Sequence, residues 1–383
     1  MEEAIRYYFS KNYQYKTILS LLDKFHGISI SRSTLLNKLK QFGLRRRGNV
    51  VDENRIREYI LREIDGCGNM LGYRAIWRRL QSKYNVQVRR SVVQTVLKEI
   101  DPEASRLRRA KRLTRRNYLN PGPNYAWHAD GYDKLKPYGF AIHGCIDGFS
   151  RRILWLEIVK SNNDPRVVGR LFFDYVQKIQ CCPTLLRTDR GTENGIMATI
   201  QCFLRRNHQD SLADLKAHRY GSSHTNQRIE AWWAILRKSW ASWWINFFRD
   251  LIARGVLDTS NVMHLQCLWF CFHPVMKDSL SEMKESWNSH YVRKSRYHTV
   301  PGIPNQLYFL PESVEAEDYK KMFDQRDLNQ AEDFIGMTDN ENCIYQEYFT
   351  YNAHLLEVET PQNWRSALIT YERLLAEAQP NHS

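Results

Sequence analysis

The sequence predicts a multidomain chain, with all-α units in front, an α/β core on a mixed sheet, and a mostly helical C-terminal region. Three observations carry that prediction. Residues 15–100 repeat apolar positions at helical spacing between glycine breaks. Residues 125–189 read as three short strands, a helix and a fourth strand. Charge falls in blocks: +16 over residues 1–120, +7 over 121–255 and −9 over 256–383.

At 383 residues the chain can hold several cores, and its 11 Trp, 21 Tyr and 16 Phe supply the apolar surface to fill them. No apolar run approaches the roughly 18 residues of a membrane span. Met1–Ser10 carries two Glu and no apolar leader, so neither a membrane partner nor a secretory signal is expected. The eight cysteines (Cys67, Cys145, Cys181, Cys182, Cys202, Cys267, Cys271 and Cys343) follow no disulfide-like spacing. Free thiols suit a nuclear location in a eukaryote and a cytoplasmic one otherwise. His264, Cys267, Cys271 and His273 come nearest to metal-ligand spacing, but their apolar run reads as a buried helix end. The basic front two-thirds point to a polyanion, because neutralised phosphates release counterions. A solubilising surface is the plainer reading of the same charge.

Taken in order, residues 1–48 form a first unit. Tyr15, Ile18, Leu19, Leu22 and Phe25 give one helical face, and Gly27 stops it. Ser31 is placed to cap a second helix that ends before Gly43. Helix, glycine turn and helix make a helix-turn-helix pattern. Its second helix would present Arg32, Ser33, Asn37 and Lys38 to a major groove, with Arg45, Arg46 and Arg47 on phosphates. The competing reading is a structural helical hairpin. Residues 49–104 form a second unit, with helices capped at Asp52, opened at Gly72, and running from Arg90 to Ile100. Residues 105–123 are a basic linker, 124–255 the core and 256–383 the acidic tail.

Within the core, Trp127-His128-Ala129-Asp130 ends a strand at a carboxylate, and strands over Tyr138–Asp147 and Arg152–Val159 follow as a meander. Asp164-Pro165 starts a helix, and Pro183–Asp189 is a short strand that again ends at a carboxylate. Asn226-Gln-Arg-Ile-Glu230 opens a further helix. Asp133, Asp147 and Glu193 read as turn and loop acceptors rather than ligands. Trp232, Trp233 and Ile235 read as core packing.

These motifs and their order resemble the integrase catalytic core shared by retroviral integrases and DDE transposases, over about Asn124–Ala241. Gly72-Tyr-Arg-x-Ile-x-Arg-x-Leu80 and the helix from Arg90 resemble the helix-turn-helix region of insertion-sequence transposases. That second resemblance offers Arg89, Arg90, Gln94 and Lys98 as DNA contacts. The first implies a ribonuclease-H-like fold, with first and fourth strands adjacent. It also implies Asp130, Asp189 and Glu230 as catalytic residues and as ligands of Mg²⁺ or Mn²⁺. Two such ions could activate a hydroxyl and stabilise the leaving 3′ oxygen, Asp130 touching both. Arg237 and Lys238 follow on the same helix as DNA-backbone contacts, and Asn226 and His224 as groups orienting substrate or capping. The activity implied is nicking and strand transfer on duplex DNA, by a homo-oligomer that holds two DNA ends. Two rivals are a domesticated, catalytically silent DNA-binding protein and a ribonuclease-H-type nuclease. The zinc module and basic β-barrel of retroviral integrases have no counterpart motif here.

Overall fold

The computed structural model describes residues 1–11, 13–44, 52–65, 71–84, 86, 88–100, 120–221, 226–294, 299–336 and 343–378. The basic tract 106–116, Arg45, Arg46, Arg47, Gly66, Gly68 and His224 lie outside the described residues. The chain divides into two compact units: Met1–Leu119 with Ser286–Ala316, and Asn120–Glu285 with Glu317–Ser383.

The first unit is helical. It opens with α1 (Glu2–Ser10), α2 (Tyr15–His26) and α3 (Arg32–Gln41). Gly27 ends α2 in the left-handed region at φ 62°, where a side chain would be strained. Ser31 caps α3, its Oγ accepting the Thr34 N–H at 3.1 Å. Both features follow from the sequence; α1 does not, because only Ile5 of that helix is buried. Ile5, Ile18, Leu21, Leu22, Leu35 and Leu39 make one core, and Leu310 joins it from far along the chain. The short helix Pro304–Phe309 delivers that leucine. It is fastened by Lys24 Nζ donating to the Phe309 carbonyl (2.7 Å) and by Asn305 Nδ2 donating to the Tyr13 hydroxyl (3.1 Å).

Next come α4 (Glu53–Ile64), α5 (Tyr73–Ser82) and α6 (Arg90–Ile100). Ile56, Ile60, Ile76, Leu80, Val93, Val96 and Leu97 turn inward. A buried Arg79–Glu63 pair (2.9 Å) and the Tyr84 hydroxyl (2.8 Å) satisfy the one carboxylate among them.

In the second unit a five-stranded mixed sheet runs in the order β3-β2-β1-β4-β5. The strands are β1 (Ala126–Tyr132), β2 (Ala141–Asp147), β3 (Ile153–Val159), β4 (Leu185–Thr188) and β5 (His218–Tyr220). β1, β2 and β3 pair antiparallel, whereas β4 lies parallel to β1 and β5 parallel to β4. The core is therefore ribonuclease-H-like, with first and fourth strands adjacent. One face is covered by α7 (Pro165–Ile179), whose Phe172 and Tyr175 meet the Trp127 ring edge-on at 6.3 and 5.6 Å. Asp164 caps that helix, accepting the Arg166 N–H at 2.8 Å.

Two stretches differ from the sequence expectation. Residues 195–221, to which the sequence assigns no element, hold α8 (Gly195–Leu204) and β5. Met197, Ile200 and Leu204 bury one helical face, and Gly169 of α7 lets α8 come close, since a Cβ there would stand 2.5 Å from Ile196 Cγ2. The cysteine pair Cys267 and Cys271 lies inside a long helix rather than at a helix end. After α9 (Gln227–Leu236) and α10 (Ser242–Ala253), α11 runs unbroken from Val262 to Asn288 through Pro274. His264 Nδ1 lies 2.9 Å from the Tyr371 hydroxyl and His273 stacks on Trp269 at 4.3 Å. Among the described residues no helix is long and apolar enough to cross a membrane.

Candidate active site

Asp130 sits two residues before the end of β1. The β1–β4 pairing sets Arg187 against His128, an offset of 59 (187 − 128). The same offset separates Asp130 from Asp189, so carrying the register two residues on brings Asp189, just past β4, opposite Asp130. Side chains alternate faces along a strand. His128, Asp130 and Tyr132 therefore share one face, and α9 lies on it. Asn226, at the start of α9, accepts through its Oδ1 from the His128 Nδ1–H at 2.6 Å and donates through its Nδ2 to the Ala129 carbonyl at 3.0 Å. One turn beyond Glu230, the Trp233 Nε1–H donates to Asp130 Oδ2 at 2.8 Å.

This last contact does not follow from the sequence reading, which makes Trp233 packing alone. The indole is indeed buried, and it packs on Tyr132 at 5.3 Å between centroids. Its N–H nevertheless finishes on the carboxylate. The signal was present in the i, i+3 spacing of Glu230 and Trp233, which puts both on neighbouring positions of one helix face. Gly144, paired with Asp130 across β2, makes the approach feasible. A Cβ at that position would stand 2.9 Å from Trp233 Cη2 and 3.1 Å from Leu156 Cδ1.

Electrostatics bind the three motifs together. Burial first, with the charges of Asp189 and Glu230 adding to it and the Trp233 hydrogen bond opposing, pushes the Asp130 carboxyl up to about 7. Asp189 is half-buried and accepts the Asn194 Nδ2–H at 2.7 Å, so the Asn of the Asp189-x-Gly-x-x-Asn motif orients the second carboxylate. Glu230 is exposed. His128 is held neutral, down to about 3, first by burial and then by the Arg187 and Arg228 charges. Tyr132 is pushed up to about 12 by burial, against the nearby Arg237 charge.

Other predicted residues fall as follows. The Asn226 side chain makes no cap bond to α9 and instead ties the helix to β1. Asp147 is fully buried, accepting the Asn124 N–H (2.8 Å), the Ser150 N–H (2.7 Å) and the Ser150 hydroxyl (2.7 Å). Asp133 accepts from Asn162 at 2.7 Å. In the helical unit Arg32, Arg89, Arg90, Gln94 and Lys98 are exposed, as are Arg237 and Lys238 in the core unit. Lys38 is partly buried and donates to Gln41 (3.3 Å), while Arg90 lies over the Trp77 ring at 4.2 Å. Among the described residues no three His, Cys, Asp or Glu side chains are gathered tightly enough to hold a metal ion.

A family model described as integrase core domain matches residues 117–319, just over half of the chain. The chain belongs to the integrase core domain family. No curated protein matches it. The integrase core match extends beyond Ala241, where the sequence resemblance stops, through α10, α11 and the Pro304–Phe309 helix. Membership points to integrase- or transposase-type polynucleotidyl transfer as the general class of function.

The Trp233 contact yields a test. Phe at this position keeps the packing and removes the donor that holds Asp130 down. Asp130 then titrates higher, so the acid limb of any metal-dependent activity should move to higher pH. Activity near neutrality should fall about ten- to hundredfold, since a hydrogen bond to a charged group contributes about 1.5–3 kcal/mol. A pH–rate profile of Trp233→Phe identical to that of wild type would remove Trp233 as a positioning residue.

Proposed function

We propose that this chain is a transposon-type DNA integrase that nicks and joins duplex DNA with Asp130, Asp189 and Glu230. What supports the reading is that the strand register sets Asp189 opposite the half-buried Asp130, that Trp233, one turn past Glu230, hydrogen-bonds Asp130, and that the charges of Asp189 and Glu230 both act on Asp130. Such a cluster is repulsive, a cost that function explains better than stability does.

In chemistry the donor set suits hard divalent cations, since all three groups offer carboxylate oxygens, although as they stand the three are not gathered closely enough to share an ion. Mg²⁺ or Mn²⁺, one ion or two, would be held by Asp130, Asp189 and Glu230, and would supply charge to polarise a phosphodiester and sharpen a hydroxyl nucleophile. The chain's own part is positional. Trp233 and Asn194 fix Asp130 and Asp189, Asn226 ties α9 to β1, and Arg237 and Lys238 lie exposed further along the same helix for the DNA backbone. The exposed cations of α3 and α6 would bring the helical unit onto duplex DNA by phosphate and groove contacts.

The deciding experiment incubates the full chain with end-labelled duplex DNA in Mn²⁺, in Mg²⁺ and in chelator. Products that require the metal and include joined strands support the integrase. Tight, salt-sensitive binding with no product in either metal would favour the silent DNA-binding protein.

A further inference from the structure

Beside the carboxylates the sheet carries a second row of charge. β4 pairs with β1 so that Arg187 faces His128, and β5 pairs with β4 so that Arg219 faces Arg187. Registered neighbours share a face of the sheet. Arg219, Arg187 and His128 thus form one row, on the face that also carries Asp130. Asp189 follows Arg187 by two residues and Asp130 follows His128 by two. The basic and acidic rows therefore run side by side about 6.6 Å apart, two residues of strand rise.

Two guanidinium groups on directly paired positions repel, and like charges opposed across strands destabilise a sheet. Among the described residues neither Arg187 nor Arg219 meets a carboxylate, and the Arg187 Nε is buried with no hydrogen-bond partner. Arg187 is half-buried and Arg219 is exposed. A guanidinium presents paired donors matched to phosphate oxygens.

We propose that Arg187 and Arg219 grip one backbone phosphate of a DNA strand, a nucleotide removed from the phosphate that lies against Asp130 and Asp189. This rests on the reading of the core as a DNA-processing site. It assigns β4 and β5 a role in setting which phosphodiester reaches the carboxylates. The clamp is sequence-independent, because phosphate contacts position a strand without reading its bases.

The test is the salt dependence of binding to a short fluorescein-labelled duplex of mixed sequence, without divalent metal, using the full chain. Each lost phosphate contact lowers the slope of log affinity against log salt by about 0.9. The double variant should lose about 0.9, the one phosphate that the pair neutralises, and Arg187→Gln and Arg219→Gln should each lose part of it. Arg187→Lys and Arg219→Lys keep the charge and should keep the slope. Thermal melts accompany each protein, and the exposed Arg219 carries the test should Arg187→Gln fold poorly. Gln variants with wild-type slopes overturn the clamp. Metal-dependent nicking is measured on the same preparations. Nicking with unchanged slopes removes the clamp and leaves the core chemistry standing. Shifted slopes without nicking leave the clamp on a chain that binds and does not cut.

Discussion

Glu230→Gln is expected to lower metal-dependent nicking at least about a thousandfold, the kinetic equivalent of about 4 kcal/mol, while duplex binding stays near wild type. The same change should make the metal-free protein more stable above neutral pH, so activity and stability move in opposite directions. The sign follows from Asp130. Its folded-state pKa, about 7, stands above the ordinary carboxyl value of 3.8. The stability linked to that proton is complete below about pH 4 and is lost as pH rises through about 7. Glu230 and Asp189 each contribute to the elevation, so Gln at 230 lets Asp130 ionise at a lower pH and with less penalty. In chelator, thermal melting of wild type should fall between pH 5 and 8 more steeply than that of Glu230→Gln. Added Mg²⁺ at pH 8 should raise wild type and leave the variant nearly unmoved. Parallel melting curves for the two proteins across that range would mean that the three carboxylates do not act on one another, and the proposed site would fail with them.

The second large effect concerns stability alone. Asp147→Ala should destabilise the core unit by about 3 kcal/mol, since buried donors left without an acceptor cost about 1–3 kcal/mol each. For a unit of this size that is roughly 6–12 °C in melting temperature. One carboxylate here fastens two places at once. Its Oδ1 takes the Asn124 N–H at the entrance to β1, and its Oδ2 takes the Ser150 amide and hydroxyl in the β2–β3 turn. Ser150→Ala removes only the hydroxyl and should cost about 1 kcal/mol. Equal losses in the two variants would show that the Asn124 and Ser150 amide ties contribute nothing. Because Asp147 sets the start of β1, part of the damage should reach Asp130, visible as weaker metal-induced stabilisation.

The contrast between these two acids shows what one sequence can and cannot disclose. Asp130, Asp189 and Glu230 are legible because each ends or begins an element at a recognisable motif. The separation of the first two is also the register offset of the strands that carry them. The caps at Ser31, Asp52 and Asp164 are legible for a similar reason: a cap is a local event, settled within four residues. Asp147 looks like a turn residue, since Gly148 follows it, and its span to Asn124 needs the fold. Trp233 has the right spacing to reach a carboxylate, but only the absence of a side chain at Gly144, on another strand, lets it do so. Asn226 occupies a cap position and makes no cap, because a buried histidine on β1 takes its carbonyl first. In each case the partner lies on a different element, at a distance along the chain that no periodicity records.

Leu310 carries that point into the life of the nascent chain. It closes the core beneath α1, α2 and α3, yet it follows Gln41 by 269 positions (310 − 41). At about 5–20 residues per second, the front helices wait roughly 15 to 50 s after leaving the ribosome before the segment that seals them is made. Throughout that interval Ile18, Leu22 and Leu39 lack a covering leucine, and the whole integrase sheet is synthesised before the first helices can finish folding. Stalled chains ending before residue 300 should therefore be cut by protease within residues 1–44, and chains long enough to bring Leu310 clear of the ribosome should resist. Order of synthesis and order of completion run opposite ways in this protein, and a chaperone met early would find its grip on the end that was made first.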